Sequence, residues 1–414
     1  MNVSRSRYEL APPRLLRNAE TSPLALGSPQ AGQSFGRRAL SVYFTCLLLV
    51  YYFGVLVPSV EGGENTFLRY ALAGIYVIGA VVALFARRGL RQSVIVWLGV
   101  FMFCGLLNLA GTHEKLEAFG QWVLVLGQIF IYYRLATGLN IQEFKSLLRY
   151  LGVLCAGYVV FAVWLCRDEI GQNSYRWQTI AFYAGITLFL SFLHKVGPRI
   201  VLMAISIVAL YFSAARGTVL AAGVASVAIL FSRSYLKSSR WAIFAGILVV
   251  FATVLSGRLT GLIDQFASFK SANDLSIFES IKRTAEGRII LWQRAQDMVL
   301  ENPLGLGLGQ KYVLFNEGIY FTVHNGYIGT TLETGFAGLV VVLGLLGSFW
   351  RKLTALKAVD TKFAVLLRSI TIFYLVRGFY ENYLLFNFAN LVTNIFWLII
   401  IFVMFREIRQ RRPA

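Results

Sequence analysis

Charge is scarce in this sequence. Only 14% of its 414 residues are Asp, Glu, Lys or Arg, while 57% are hydrophobic. Water-soluble domains carry roughly a quarter charged residues, so a soluble fold is excluded. Histidine and cysteine are scarcer still, with three and four copies. Cys46, Cys104, Cys155 and Cys166 lie within or at the ends of apolar runs. They have neither metal-ligand nor loop-disulfide spacing, so they read as small core residues. The polar stretches hold no HExxH, no DxD and no tight carboxylate cluster, which leaves no metal site. No cofactor motif stands in its right context. No internal repeat is evident, which weighs against a transporter assembled from repeats.

The sequence does contain long apolar runs and an excess of base. Twelve apolar segments fall near 41–59, 67–86, 93–111, 118–135, 147–166, 177–194, 198–215, 217–232, 241–256, 335–350, 363–380 and 388–405. A membrane helix needs about 20 such residues. The expected fold class is therefore all-α, a polytopic membrane protein of about 12 transmembrane helices. The net charge of +19 is explained by the connecting loops without any nucleic-acid partner. One set of loops carries Arg87, Arg88, Arg91, Arg134, Lys145, Arg149, Lys195, Arg199, Arg351 and Lys352; the alternate set carries Glu61, Glu64, Glu114, Glu117, Asp168, Glu169 and Glu381. The alternation holds along the chain and places both termini on the cytoplasmic side. Residues 1–40, with Pro12, Pro13 and Pro23, read as a disordered cytoplasmic tail, too long and too proline-broken for a signal peptide.

One loop on the outer side is unlike the others. It spans roughly 70 residues from Gly257, with balanced charge, and loops of that length are usually functional. Within it, GRIILWQRAQDMVLENP reads as an amphipathic helix stopped before Pro303. Arg288, Trp292, Ala295 and Val299 share one face at helical spacing, and such a helix suits a membrane surface.

Four features carry candidate chemistry. Residues 200–231 are apolar around Arg216. Split into two spans they give about 16 residues each, or roughly 24 Å. That is shorter than the roughly 30 Å hydrocarbon core, so Arg216 is expected below the outer surface, where an arginine is costly unless it serves a site. HNGYIGTTLETG (residues 324–335) places His324 beside Asn325, a plausible helix N-cap. The positive end of a helix dipole disfavours imidazolium, and a neutral imidazole is what a general base must be. His113 and His194 are weaker candidates. Glu333 follows nine residues after His324, which on one helix is about 180° round and roughly 13 Å deeper. It is expected to brace the site by pairing with Arg216 or Arg377. Arg377, in RGFYEN, either binds substrate or pairs with Glu381. GLGLG (residues 305–309) lacks both the GxGxxG spacing and a βαβ context, so it reads as a flexible, close-packing loop.

Together these stretches resemble a family. GRIILW, NPLGLGLG and HNGYIGTTLETG, in that order, with SAARGTVL (213–220) upstream, are similar to the motifs of the O-antigen ligase and polymerase superfamily. The resemblance covers residues 213–335. It implies an inverting, metal-independent membrane glycosyltransferase in the bacterial inner membrane, acting at the periplasmic face. The donor would be a glycan on undecaprenyl diphosphate and the acceptor, for a ligase, lipid A–core. A polymerase would instead join lipid-linked repeat units. A lipid or polysaccharide transporter is the third reading. The residues suit the chemistry this implies: His324 as the base or, alternatively, as a contact to the diphosphate, Arg216 and Arg288 as the diphosphate site, and Asn325, Glu333, Trp292 and Arg377 in support. The expected organisation is a tail (1–40), helices 1–9 (41–256), a periplasmic loop (257–334), helices 10–12 (335–405) and a short cytoplasmic tail (406–414). The only other partners expected are membrane lipids, and the protein is expected to be a monomer.

Overall fold

A computed structural model describes residues 29–56, 66–85, 91–167, 175–213, 215–232, 277–309, 312–316, 319–381 and 391–406. Its helices are α1 (Pro29–Leu56), α2 (Thr66–Phe85), α3 (Gln92–Gly111), α4 (Lys115–Ala136), α5 (Ile141–Leu165), α6 (Tyr175–Leu190), α7 (Val196–Phe212), α8 (Arg216–Leu230), α9 (Ile277–Glu301), α10 (Gly326–Val359), α11 (Thr361–Gly378) and α12 (Leu391–Phe405). Eleven of the twelve apolar segments fall on these helices. The segment 241–256 and the N-terminal tail through residue 28 lie outside the described residues. Among the described residues α3, α5 and α10 are long and apolar enough to cross a membrane, and five further apolar helices are shorter.

Short polar sequences set the helix boundaries. Asn140 and Glu143 form a reciprocal capping box that opens α5, satisfying two N–H groups left over at the helix start. Asp360 closes α10 and opens α11, its side chain accepting from the Phe363 N–H at 3.0 Å. The same carboxylate pairs with Lys145 of α5.

The core is built around α12, of which every residue is buried. A helix apolar on all sides must be enclosed, and α12 packs against α4 and α10, with α1, α6 and α11 making smaller contacts. Phe402 stacks on Phe144 of α5 with ring centroids 3.6 Å apart, and Phe396 stacks on Tyr374 of α11 at 4.1 Å. The outer helices expose apolar side chains instead, such as Val77, Ile78, Phe103 and Leu106.

The contacts sort the helix termini into two ends. At one end meet the last turn of α3, the start of α4, the start of α8, the start of α10 and the end of α11. At the other lie Arg91, Arg134, Lys145, Arg149 and Arg199, and here arginines close helix C-termini. Arg134 donates to the carbonyls of Ala83 and Leu84 (3.2 and 3.3 Å), and Arg91 donates to that of Phe405 (3.2 Å). Exposed carbonyls and the negative dipole end both favour such cations.

Three features depart from expectation. α1 begins at Pro29, so residues 29–40, expected within a disordered tail, are helical and lead straight into the first apolar segment. A two-stranded antiparallel hairpin, β1 (Tyr312–Asn316) and β2 (Ile319–Thr322), stands between α9 and α10. The amphipathic α9 ends before Pro303 as expected, but its apolar face is not free for a membrane surface. Leu291, Ala295 and Val299 are buried with Val323 and Leu332 of the following segment. An apolar face against protein loses as much water as one against lipid, and here the partner face is already in place.

Candidate active site at the mouth of a broken helix

α10 is two helices end to end. Gly335 interrupts it with φ 70° and ψ −176°, leaving a short half-helix, residues 326–334, that opens at Asn325. In an unbroken helix the carbonyls of Leu332 and Glu333 would accept from Phe336 and Ala337. Orphaned carbonyls in an apolar setting cost several kcal/mol each. The NPLGLGLG loop supplies the missing partners. The Leu306 N–H donates to the Leu332 carbonyl at 2.7 Å and the Gly307 N–H to the Glu333 carbonyl at 3.1 Å; the Phe336 N–H donates back to the Pro303 carbonyl at 3.1 Å. This main-chain clasp demands glycine on both sides. Gly305, at φ 87°, has no room for a Cβ, which would lie 2.7 Å from the Thr334 carbonyl carbon, and a Cβ on Gly335 would lie 2.8 Å from Leu304 Cα. The expected close-packing role of GLGLG is thus given a specific form.

Glu333 belongs to the clasp. Its carboxylate, almost fully buried, accepts from the Gly309 N–H at 3.3 Å. This bond is to loop main chain; of the two arginines expected to pair with Glu333, Arg216 has its side chain outside the described residues and Arg377 pairs with Glu381. Arg377, 4% exposed, pairs with Glu381 at 3.6 Å, donates to the Thr218 hydroxyl of α8 at 3.3 Å and lies 3.5 Å over the Phe182 ring of α6. Of the two roles open to Arg377, pairing with Glu381 is present, and the residue ties three helices together.

At the other end of the half-helix, Asn325 is the N-cap. Its side-chain oxygen accepts from the N–H groups of Tyr327 and Ile328 at 3.0 and 3.1 Å. His324 comes just before the cap, half-buried, at φ 48°, and among the described residues no other non-glycine has positive φ. That conformation is costly for a side-chain-bearing residue and persists where its surroundings impose it. The imposition comes from both neighbours. Asn325 is fixed by capping. Val323 is buried, and its carbonyl accepts from Trp292 Nε1 at 2.9 Å. Trp292 therefore holds the histidine's backbone through the preceding residue.

The remaining assigned residues converge by position. Arg216 is the first residue of α8. The adjacent Gly217 packs so closely on Tyr380 that a Cβ would sit 2.6 Å from the tyrosine Cβ. Tyr327, in the first turn of α10, donates to the Leu375 carbonyl at 3.0 Å and meets the Phe379 ring at 4.6 Å. The end of α11 thus neighbours both the start of α8 and the start of α10. Arg288 lies on α9 one turn before Trp292. The side chains of Arg216 and Arg288 lie outside the described residues.

The sequence reading missed Asn108 on α3, Thr112 at its C-cap and Trp122 on α4, which hold the clasp from outside the motif region. Asn108 is fully buried, and its Nδ2 donates to the carbonyls of Leu304 (3.0 Å) and Glu333 (2.8 Å). Trp122 Nε1 donates to Asn108 Oδ1 at 3.0 Å. The Thr112 hydroxyl donates to the Leu306 carbonyl. The one available signal was a lone Asn inside an otherwise apolar run, a polar residue that demands a partner. Beyond the clasp, an open apolar groove of 610 Å³ lies between α3 and α10, bordered by Val96, Phe103, Phe336 and Val340.

Residues 201–343, from α7 into the second half of α10, match the family model described as O-antigen ligase. No curated protein matches the chain. The match encloses all four motif stretches, including both strands of the clasp and His324. Residues 201–343 are therefore similar to the O-antigen ligase family, and they are set among helices of membrane-spanning character.

Proposed function

We propose that this protein is a membrane glycosyltransferase that moves O-antigen polysaccharide from undecaprenyl diphosphate to a sugar hydroxyl of lipid A–core. In this reading it is a twelve-span protein of the bacterial inner membrane with both termini cytoplasmic. The loop between the ninth and tenth spans faces the periplasm, and the enzyme works as a monomer without a metal. The observation that carries the reading is the way His324 is held: a left-handed residue locked between a tryptophan-bound carbonyl and a buried N-cap, inside the matched residues 201–343.

In the proposed reaction the acceptor hydroxyl oxygen attacks the anomeric carbon from the face opposite the diphosphate. The new C–O bond forms as the bond to the diphosphate breaks, and configuration inverts. The hydroxyl proton passes to His324 as general base. The electron pair leaves on the phosphate oxygen, where Arg216 and Arg288 neutralise the growing charge, so no strong general acid is needed. Asn325 and Trp292 fix the base, and Glu333 and Arg377 brace the helices behind it. The apolar groove beside Phe336 gives an isoprenoid chain a dry surface next to that end.

Deleting the protein in its host and running the lipopolysaccharide on a gel tests this directly. Loss of all O-antigen from lipid A–core, with lipid-linked polymer accumulating, is expected. Core bearing a single repeat unit would instead identify the polymerase, which shares these motifs. An unaltered profile would remove both. With purified protein, His324→Ala is expected to lower turnover by a factor of about 100 to 10,000 at normal protein level.

A further inference from the structure

We propose that Asn108, on α3, is a positioning residue for His324: it sets the base of the half-helix whose mouth carries the histidine. The inference rests on the reading of His324 given above.

The side chain has a fixed orientation. Indole nitrogen only donates and backbone carbonyls only accept. Trp122 on one side and the two carbonyls on the other therefore assign Oδ1 and Nδ2 without ambiguity. All three bonds are 2.8–3.0 Å, and the residue is fully buried. The two carbonyls belong to opposite sides of the clasp, Leu304 to the loop and Glu333 to the half-helix. One amide thus fastens both partners of the break to α3.

The constraint reaches His324 by two routes. The first runs up the half-helix, residues 326–334, from Glu333 to the Asn325 cap. The second runs through the loop, because residues 302–309 continue directly from α9, and α9 carries the Trp292 that binds the Val323 carbonyl. The α3–α4 corner closes the seat. Thr112 bonds the Leu306 carbonyl, and a Cβ at Gly111 would meet Leu304 Cβ at 2.7 Å. The loop cannot slide without breaking these contacts. Losing Asn108 leaves the clasp its main-chain bonds but frees it to shift along α3, and His324 shifts with it.

A polar residue that merely glues helices together would change protein level or thermal stability alone. A positioning residue changes turnover at saturating donor while donor binding stays intact. Asn108→Leu keeps the branched side-chain skeleton and removes all three bonds. The full-length enzyme in detergent, assayed with the lipid-diphosphate-linked glycan and lipid A–core, is expected to lose about 100-fold in kcat. KM for the donor is expected to stay within about twofold. Trp122→Phe removes only the bond that orients the amide; it guards against an Asn108→Leu protein that fails to accumulate, and is expected to lower kcat about threefold to tenfold. Wild-type kcat in Trp122→Phe, or wild-type kcat or a KM-only effect in Asn108→Leu, overturns the positioning role while leaving an inactive His324→Ala enzyme explained. An active His324→Ala enzyme instead overturns the reading of the base, and the role of Asn108 with it.

Discussion

The two ends of this helix bundle are built on different principles. At the basic end, helix termini are closed by side chains reaching from neighbouring helices: Arg134 onto α2, Arg91 onto α12, Lys145 onto Asp360. The contacts there are made by side chains onto helix ends, and they leave the helices they close unbroken. At the His324 end a helix is broken, its carbonyls are satisfied by the main chain of a loop, and a histidine is held left-handed. Independent side-chain contacts lose a few tenths to about 1 kcal/mol when one is removed. An interlocked main-chain arrangement has no spare partner, so one change is felt throughout it. The first design keeps a membrane protein folded. The second adds geometric control where chemistry is proposed.

Three substitutions test that contrast. Gly335→Ala is expected to have the largest effect. A Cβ there enters the Pro303–Leu304 backbone at a left-handed residue, which should cost about 3 kcal/mol or more and remove the folded protein from membranes. Normal accumulation with normal activity would show that the break is not clasped. Trp292→Phe comes next. It deletes the bond to the Val323 carbonyl and keeps most of the ring. Stability should fall by about 1 kcal/mol, and turnover about tenfold. A thermal shift without any change in turnover would separate the tryptophan from the histidine.

The smallest effect belongs to the basic end. Burial lowers the pKa of His194 below its usual 6.5, as do the charges of Arg149 and Arg199, while the bond to the Arg149 carbonyl offsets part of the shift. Just below pH 6.5 the unfolded chain therefore binds more protons at this site than the folded one. Stability from this residue is complete above about pH 6.5 and declines as pH falls through the folded value. His194→Gln should flatten the acid side of a melting-temperature profile slightly. A profile that keeps its slope would assign the acid sensitivity to other groups.

Some of this was legible in the sequence and some was not. Helix positions followed from the long apolar runs, because length and hydropathy suffice there. The Asn325 cap and the stop before Pro303 followed from local chemistry. So did Glu381 as a partner for Arg377, one helical turn away. The hairpin had a local signal too: YVLF and IYFT are β-forming runs separated by Asn-Glu-Gly, a sequence of turn-forming composition, overlooked beside the stronger helical patterns. The clasp was different in kind. Asn108 and Glu333 are 225 residues apart, and no periodicity links them. The enclosed position of α12 was equally hidden, since lipid and protein interior are both apolar and give a helix the same composition.

The distance between Asn108 and Glu333 along the chain is also a distance in time. At about 5–20 residues per second of synthesis, some 10 to 45 s separate the appearance of the amide from that of the carbonyl it will hold. Over that interval Trp122, only 14 residues downstream, is the partner within early reach. The amide then waits, half-satisfied, for a piece of chain not yet made. Until the loop and the broken helix arrive, His324 has no fixed place. A ribosome that stalls early leaves the helices made so far, but not the seat that holds His324.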